Sequence, residues 1–152
     1  MKIRVGFGYD VHQLEEGSPF FLGGIQLADA HKGAVGHSDA DVLIHAICDA
    51  LLGAANLRDI GFHFPPTDPQ YKGIDSKVLL KGVVEKLTEK GYGISNIDAT
   101  VVLEAPKVNP HIAEMAKVMS ACMDIEADDI SIKATTSEKI GFVGREEGVA
   151  AY

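Results

Sequence analysis

Cysteine is scarce, basic charge is in deficit, and no long apolar run is present. The 152-residue chain holds two cysteines, Cys48 and Cys122, each alone in an apolar stretch. That argues against a disulfide framework and reads as reduced core thiols of a cytosolic protein. Lysine and arginine number 14 against 22 acids, a formal net charge of -8. Duplex binding needs clustered basic side chains, so no nucleic-acid partner is expected. A small anionic ligand stays compatible, because local donors matter more than net charge. No stretch approaches the roughly 20 apolar residues of a membrane helix, so no membrane partner is expected. Strand-like residues begin at Lys2, and no signal or transit peptide is read. The expected location is the cytoplasm, or the plastid stroma for a processed form. The glycine-rich tail from Gly141 to Gly148 lacks the G-K-[ST] of a Walker loop.

What is present is enough for one domain over residues 1–152, with 46% hydrophobic residues to build a core. Ile3 to His12 reads as a strand. Phe20 to Leu22 and Ile25 to Leu27 flank Gly23-Gly24, a hairpin signal. Ser38 is expected to cap a helix from Asp39 to about Ala55, with Leu43, Ile47, Ala50, Leu51 and Ala54 as its apolar stripe. Arg58 to Gly73 is a loop with three prolines. Asp75 or Ser76 caps a second helix to Lys90, stopped by Gly91. Ala99 to Glu104 is a strand. Asn109 caps a third helix with Pro110 at its first position. Ile130 to Thr136 and Gly148 to Tyr152 are strands. The alternation predicts an α/β fold of the α+β sandwich type: a mixed β-sheet with helices packed on one face, plus a β-hairpin.

The chemistry gathers first at Asp10, His12 and His45. Asp10 and His12 are two apart and share a face of a strand. His45 lies on the predicted helix, one turn after Asp41. A carboxylate and two imidazoles can close three corners of a tetrahedron, and zinc with an open fourth position is a catalytic arrangement. The plain alternative is a hydrogen-bonded acid beside two unrelated histidines. A ligand histidine needs an acceptor on its second nitrogen, for which Asp41 or Asp49 is the candidate.

Other constellations read two ways. His37 and Ser38 stand where a helix begins, as a cap or as part of an anion site. Thr135, Thr136, Ser137 and Glu138 contain a capping-box pattern, yet hydroxyls with a carboxylate also suit phosphates and a hard cation. Asp59, Ile60, Gly61, Phe64 and Asp68 lie in the proline-rich loop, as turn formers or as partners of a polyol. Ala105, Pro106 and Lys107 end a strand, where backbone groups can grip a base. Arg145 is a phosphate ligand or an ion-pair partner of its neighbouring glutamates.

In their order, these segments resemble the 2-C-methyl-D-erythritol 2,4-cyclodiphosphate synthase family. The matching pieces include Gly8-Tyr9-Asp10-Val11-His12, His37-Ser38-Asp39-Ala40-Asp41, His45, Asp59-Ile60-Gly61, Phe64-Pro65, Asp68-Pro69, Ala105-Pro106-Lys107, Thr135-Thr136 and Glu138-Lys139. The resemblance implies a homotrimer with active sites shared between subunits. It implies zinc on Asp10, His12 and His45, and a second ion, Mg²⁺ or Mn²⁺, on Glu138. His37, Ser38, Asp59 and Gly61 match positions at the methylerythritol phosphate end. Ala105 to Lys107, Thr135 and Thr136 match the grip on a cytidine diphosphate, while Phe142 and Arg145 match positions near the trimer axis. Glu146 stands where the family frequently has glycine, and Pro66 where an acid is common.

The implied reaction converts 4-diphosphocytidyl-2-C-methyl-D-erythritol 2-phosphate to the cyclodiphosphate with release of CMP. No triad is visible, and a phosphate nucleophile needs none. Two other classes are a zinc-dependent phosphohydrolase of a nucleotide-linked substrate, and a non-catalytic trimer with structural zinc. The second would want a fourth protein ligand, and the neighbouring Cys48 is read as a core thiol.

Overall fold

A computed structural model describes residues 2–152. Strands are β1 (Asp10–Glu16), β2 (Phe21–Leu22), β3 (Ile25–Gln26), β4 (Lys32–Val35), β5 (Ile97–Val102), β6 (Ile130–Thr135) and β7 (Gly148–Ala151). Helices are α1 (Val42–Ala54), α2 (Ile60–His63), α3 (Ser76–Glu89), α4 (Ile112–Met123) and α5 (Gly141–Gly144). The main sheet has the order β4-β1-β7-β5-β6. All its pairs are antiparallel except β5 with β6, which run parallel through α4. The sheet is therefore mixed, as the sequence predicts.

Burial alternates along β5 and β6. Ile97, Ala99, Val101, Ile130 and Ile132 point into the core, while Asp98, Ser131 and Lys133 face out. α1 lies against β1, β5 and β7, and α4 against β6. α3 packs on both α1 and α4. α1 is thus enclosed by the sheet on one side and α3 on the other. Its buried surface wraps wider than the predicted stripe and takes in Val42, Ile44, Ala46, Cys48 and Leu52. Each fully buried leucine or isoleucine contributes about 1.5–3 kcal/mol of transfer free energy.

Several boundaries differ from expectation. The helix predicted from Asp39 begins at Val42, and its cap is Asp41, not Ser38. The Asp41 carboxylate takes the N–H of Ile44 at 3.0 Å, and Ser38 turns its hydroxyl elsewhere. The helix predicted from Asn109 opens as a 3-10 turn over Asn109–His111, without a side-chain cap, before α4. β1 enters the ladder only at Asp10. Ladder pairing needs a neighbour about 4.8 Å away, and a groove of about 630 Å³ separates residues 2–8 from residues 94–99. Residues 3–9 instead run against α1.

That run is very close at Gly8. A Cβ there would lie 1.8 Å from the carbonyl oxygen of Ala46, so only glycine lets the strand approach the helix. The approach sets how near the end of β1 comes to the helix that carries His45. The β2–β3 turn uses the other essential glycines. Gly23 and Gly24 have φ of 61° and 83°, the left-handed pair that a tight hairpin requires.

Candidate metal centre

Alternation along β1 turns Asp10 and His12 to the same side, and α1 crosses with His45 facing them. Asp10 Oδ2 lies 2.9 Å from His12 Nε2 and 3.0 Å from His45 Nδ1. His12 Nε2 and His45 Nδ1 are 3.1 Å apart. One ligand atom from each residue thus forms a compact triangle, the one such cluster among the described residues. Tetrahedral ligands about 2.0–2.1 Å from a zinc ion sit about 3.4 Å from one another. A small outward relaxation of these side chains admits the ion, and the donor set fits zinc. The three residues leave one vertex of a tetrahedron open.

Electrostatics favour a cation here. Burial pushes the Asp10 carboxyl up, but hydrogen bonds and charge from His12 and His45 outweigh it and hold it well below the ordinary carboxylate range. Burial pulls the His45 imidazole down, while the Asp10 carboxylate more than offsets this and leaves it raised.

The acceptor on the second nitrogen of His45 is not the predicted one. His45 Nε2 lies 2.9 Å from Ser76 Oγ and 3.2 Å from Ser38 Oγ. Asp41 is fully buried and serves the backbone instead. It accepts N–H bonds from Gly23 at 3.0 Å, Gly24 at 2.7 Å and Ile44. Burial pushes its carboxyl up against these three donors. Asp41 thus ties the hairpin turn to the start of α1, one turn before His45. Asp49 takes the N–H of Ile60 at 2.8 Å and anchors the proline-rich loop to the same helix. Both acids share a helix stripe with His45, but their hydrogen bonds go to backbone donors and not to its ring.

In that loop, Asp59 caps α2 through the N–H of Phe62. Asp68 caps a 3-10 turn through Gln70. Phe64 stacks edge-on against Tyr71 and lies over Gly82. The carbonyl of His37 accepts the N–H of Gly73 at 2.7 Å, closing the loop near the cluster.

A second locus forms where the parallel strands β5 and β6 end together. Leu103 N–H bonds Thr135 O at 3.0 Å. This brings Ala105, Pro106 and Lys107 beside Thr135, Thr136, Ser137 and Glu138, and Ala105–Pro106 is cis. The organiser is Glu104, which the sequence reading passed over. Its carboxylate accepts the N–H groups of Ser137 at 3.2 Å and Lys139 at 3.1 Å. Glu138 and Lys139 both adopt left-handed backbone, with φ of 54° and 61°. The predicted capping box makes no helix: Thr136 Oγ1 accepts Glu138 N–H within a turn, and α5 starts later. Neither Thr136 nor Glu138 hydrogen-bonds Asp10, His12 or His45 within the described residues. Arg145 pairs with Glu147, at 2.9 Å, and Phe142 is partly exposed nearby. Glu146 has a φ of 55°, a conformation glycine adopts without strain.

The description of the YgbB family matches residues 3–152. A protein of Cytophaga hutchinsonii named 2-C-methyl-D-erythritol 2,4-cyclodiphosphate synthase is 68% identical over 152 residues, covering 100% of this chain and 95% of its own length. A solved 2C-methyl-D-erythritol-2,4-cyclodiphosphate synthase, in its CDP-bound form, is 36% identical with a TM-score of 0.89, over 97% of this chain and 95% of that one. The solved bifunctional IspDF of Campylobacter jejuni is 41% identical with a TM-score of 0.94, over 99% of this chain. The present chain spans 40% of that longer protein.

Proposed function

The chain belongs to the YgbB family, and from that premise we propose that it cyclises 4-diphosphocytidyl-2-C-methyl-D-erythritol 2-phosphate to 2-C-methyl-D-erythritol 2,4-cyclodiphosphate, releasing CMP. It is an enzyme of isoprenoid biosynthesis, a phosphorus–oxygen lyase by reaction type. The observation that carries this reading is the Asp10–His12–His45 triangle with an open vertex, set in a fold shared with a CDP-bound synthase.

The substrate's 2-phosphate oxygen bonds to the β-phosphorus, and the bond from that phosphorus to the oxygen bridging to the α-phosphate breaks. The electron pair leaves with CMP. No proton need be removed, because the attacking phosphate is already an anion near neutral pH. The barrier lies in bringing anions together and holding them in line. Zinc at the triangle and Mg²⁺ or Mn²⁺ at Glu138 would neutralise phosphate charge and stabilise the charge that builds on the leaving group. Asp10, His12 and His45 would hold the first ion. His37, Ser38, Asp59, Ile60, Gly61, Phe64 and Asp68 enclose the methylerythritol end. Ala105, Pro106, Lys107, Thr135, Thr136 and Ser137 hold the cytidine diphosphate at the ends of β5 and β6, with Thr136 placed at the reacting phosphates.

Among the described residues of one chain the metal triangle and this second locus share no hydrogen bond. We assign their union to a homotrimer in which neighbouring subunits complete each site. Exposed Ile3, Val5 and Phe7 give the chain apolar surface to bury in such an assembly. Phe142 and Arg145 lie towards its axis in this reading. The assembly works in the cytoplasm, or in the plastid stroma for a processed form.

Incubating the protein with the cytidyl substrate, Zn²⁺ and Mg²⁺ tests the assignment. CMP and a cyclodiphosphate, identified by mass spectrometry, are the expected products. CDP or linear phosphates would identify a hydrolase instead.

A further inference from the structure

We propose that Ser76 and Asp39 form a hydrogen-bond relay that fixes the His45 ring for the metal, making them positioning residues of the centre. The inference rests on the metal reading above. Its observations are the contacts on the far side of the His45 ring.

His45 presents Nδ1 to Asp10 and His12, so its lone pair on that side belongs to the metal. The remaining ring proton then sits on Nε2. Ser76 Oγ lies 2.9 Å from Nε2 and is fully buried, so water does not compete for it. The Ser76 hydroxyl in turn donates to Asp39 Oδ1. Asp39 is itself held: Oδ2 accepts the Ser76 N–H at 2.8 Å, and Oδ1 accepts the Asp41 N–H at 3.1 Å. The direction of every proton is thereby determined. Nε2–H donates to Ser76, Ser76 O–H donates to Asp39, and the carboxylate ends the chain as an acceptor only.

This arrangement does three things to a ligand. It keeps the tautomer with Nδ1 unprotonated, it locks the ring about its axis, and it passes anionic character to the imidazole. Ser38 Oγ also reaches Nε2, at 3.2 Å, but it already accepts the Ala40 N–H and is less buried. Ser76 is not needed to start α3, because Asp75 caps that helix through the Lys77 N–H at 2.9 Å. A hydroxyl placed inside the protein, aimed at a ligand ring and spared from capping, is explained by the ring.

The test compares zinc affinity in wild type, S76A and D39N by chelator competition, with melting temperatures of the metal-free forms. Loss of such a partner lowers metal affinity about 10–100-fold. S76A is expected to fall in that range while its metal-free melting temperature stays close to wild type. D39N is expected to weaken zinc in the same direction. The visible spectrum of the Co²⁺-loaded protein should change in S76A, reporting a reoriented ligand. In zinc-loaded wild type, the His45 Nε2–H should exchange slowly with solvent by NMR, a readout that needs no variant to fold. Wild-type affinity in S76A, or fast exchange of that proton in wild type, would overturn the relay. A wild-type protein that holds no zinc would instead overturn the metal reading on which it rests.

Discussion

His12 Nε2 and His45 Nδ1 lie 3.1 Å apart across a separation of 33 residues. β1 carries one and α1 the other, and Asp10 closes the triangle. Removing any corner should therefore remove the metal. H45A and D10A are expected to lose bound zinc. Losing a metal that stabilises phosphoryl charge costs several kcal/mol in the transition state, a rate loss of about 10³-fold or more. Metal analysis and turnover check this, with circular dichroism to show the fold retained. Full turnover in a zinc-free H45A would refute the role.

Asp41 gives a stability prediction. D41A leaves the N–H groups of Gly23, Gly24 and Ile44 without their acceptor. Buried unsatisfied donors cost about 1–3 kcal/mol each before relaxation, so a net loss of about 3 kcal/mol is expected. For a chain of this size that lowers the melting temperature by about 10 °C. A melting curve within 2–3 °C of wild type, on the order of one kcal/mol or less, would show that the hairpin staple carries little.

Gly8 gives a coupled one. G8A drives a methyl into the Ala46 carbonyl and must push β1 from α1. Overpacking of this kind costs about 1–3 kcal/mol. Because the strand carries Asp10 and His12, zinc affinity should fall along with stability. Chelator competition on folded G8A measures it, and unchanged affinity would separate the strand contact from the site.

The legibility of the chain was uneven, for physical reasons. Spacing put Asp10 and His12 on one face of a strand and His45 on an apolar helix, while their union in one ligand set followed from the family resemblance. The mixed sheet and the Gly23-Gly24 hairpin were equally plain. Ser76 and Asp39 were not legible as a pair, since 37 residues separate them and locally one read as a helix cap and the other as the first residue of a helix. Asp41 looked like a partner of His45 because four residues bring it to the same helix face. Its actual bonds go to a turn 17 and 18 residues earlier, which no helical spacing reports. Glu104 was invisible for the same reason, as its partners lie 33 and 35 residues on. Ladder pairing of residues 3–9 failed as a prediction because strand propensity does not supply a neighbour.

The metal-free centre should leave a pH signature. The Asp10 carboxyl lies below its ordinary 3.8, so its contribution to stability is present above that value and is lost as pH falls through the depressed one. The His45 imidazole lies above its ordinary 6.5, so its contribution is full below 6.5 and is lost as pH rises through the raised value. The pair therefore stabilises most between these ordinary values. With chelator present, the melting-temperature gap between wild type and H45Q should be larger at pH 5.5 than at pH 9. A gap that stays constant or widens with pH would contradict the pairing.

In the proposed reaction a phosphate of the substrate, not water, attacks the β-phosphorus. Running the reaction in ¹⁸O-labelled water measures this directly. A cyclodiphosphate and CMP that both carry no ¹⁸O are expected, as read by mass spectrometry of the quenched products. One ¹⁸O atom in the phosphate product would mean that water is the nucleophile, and would contradict it.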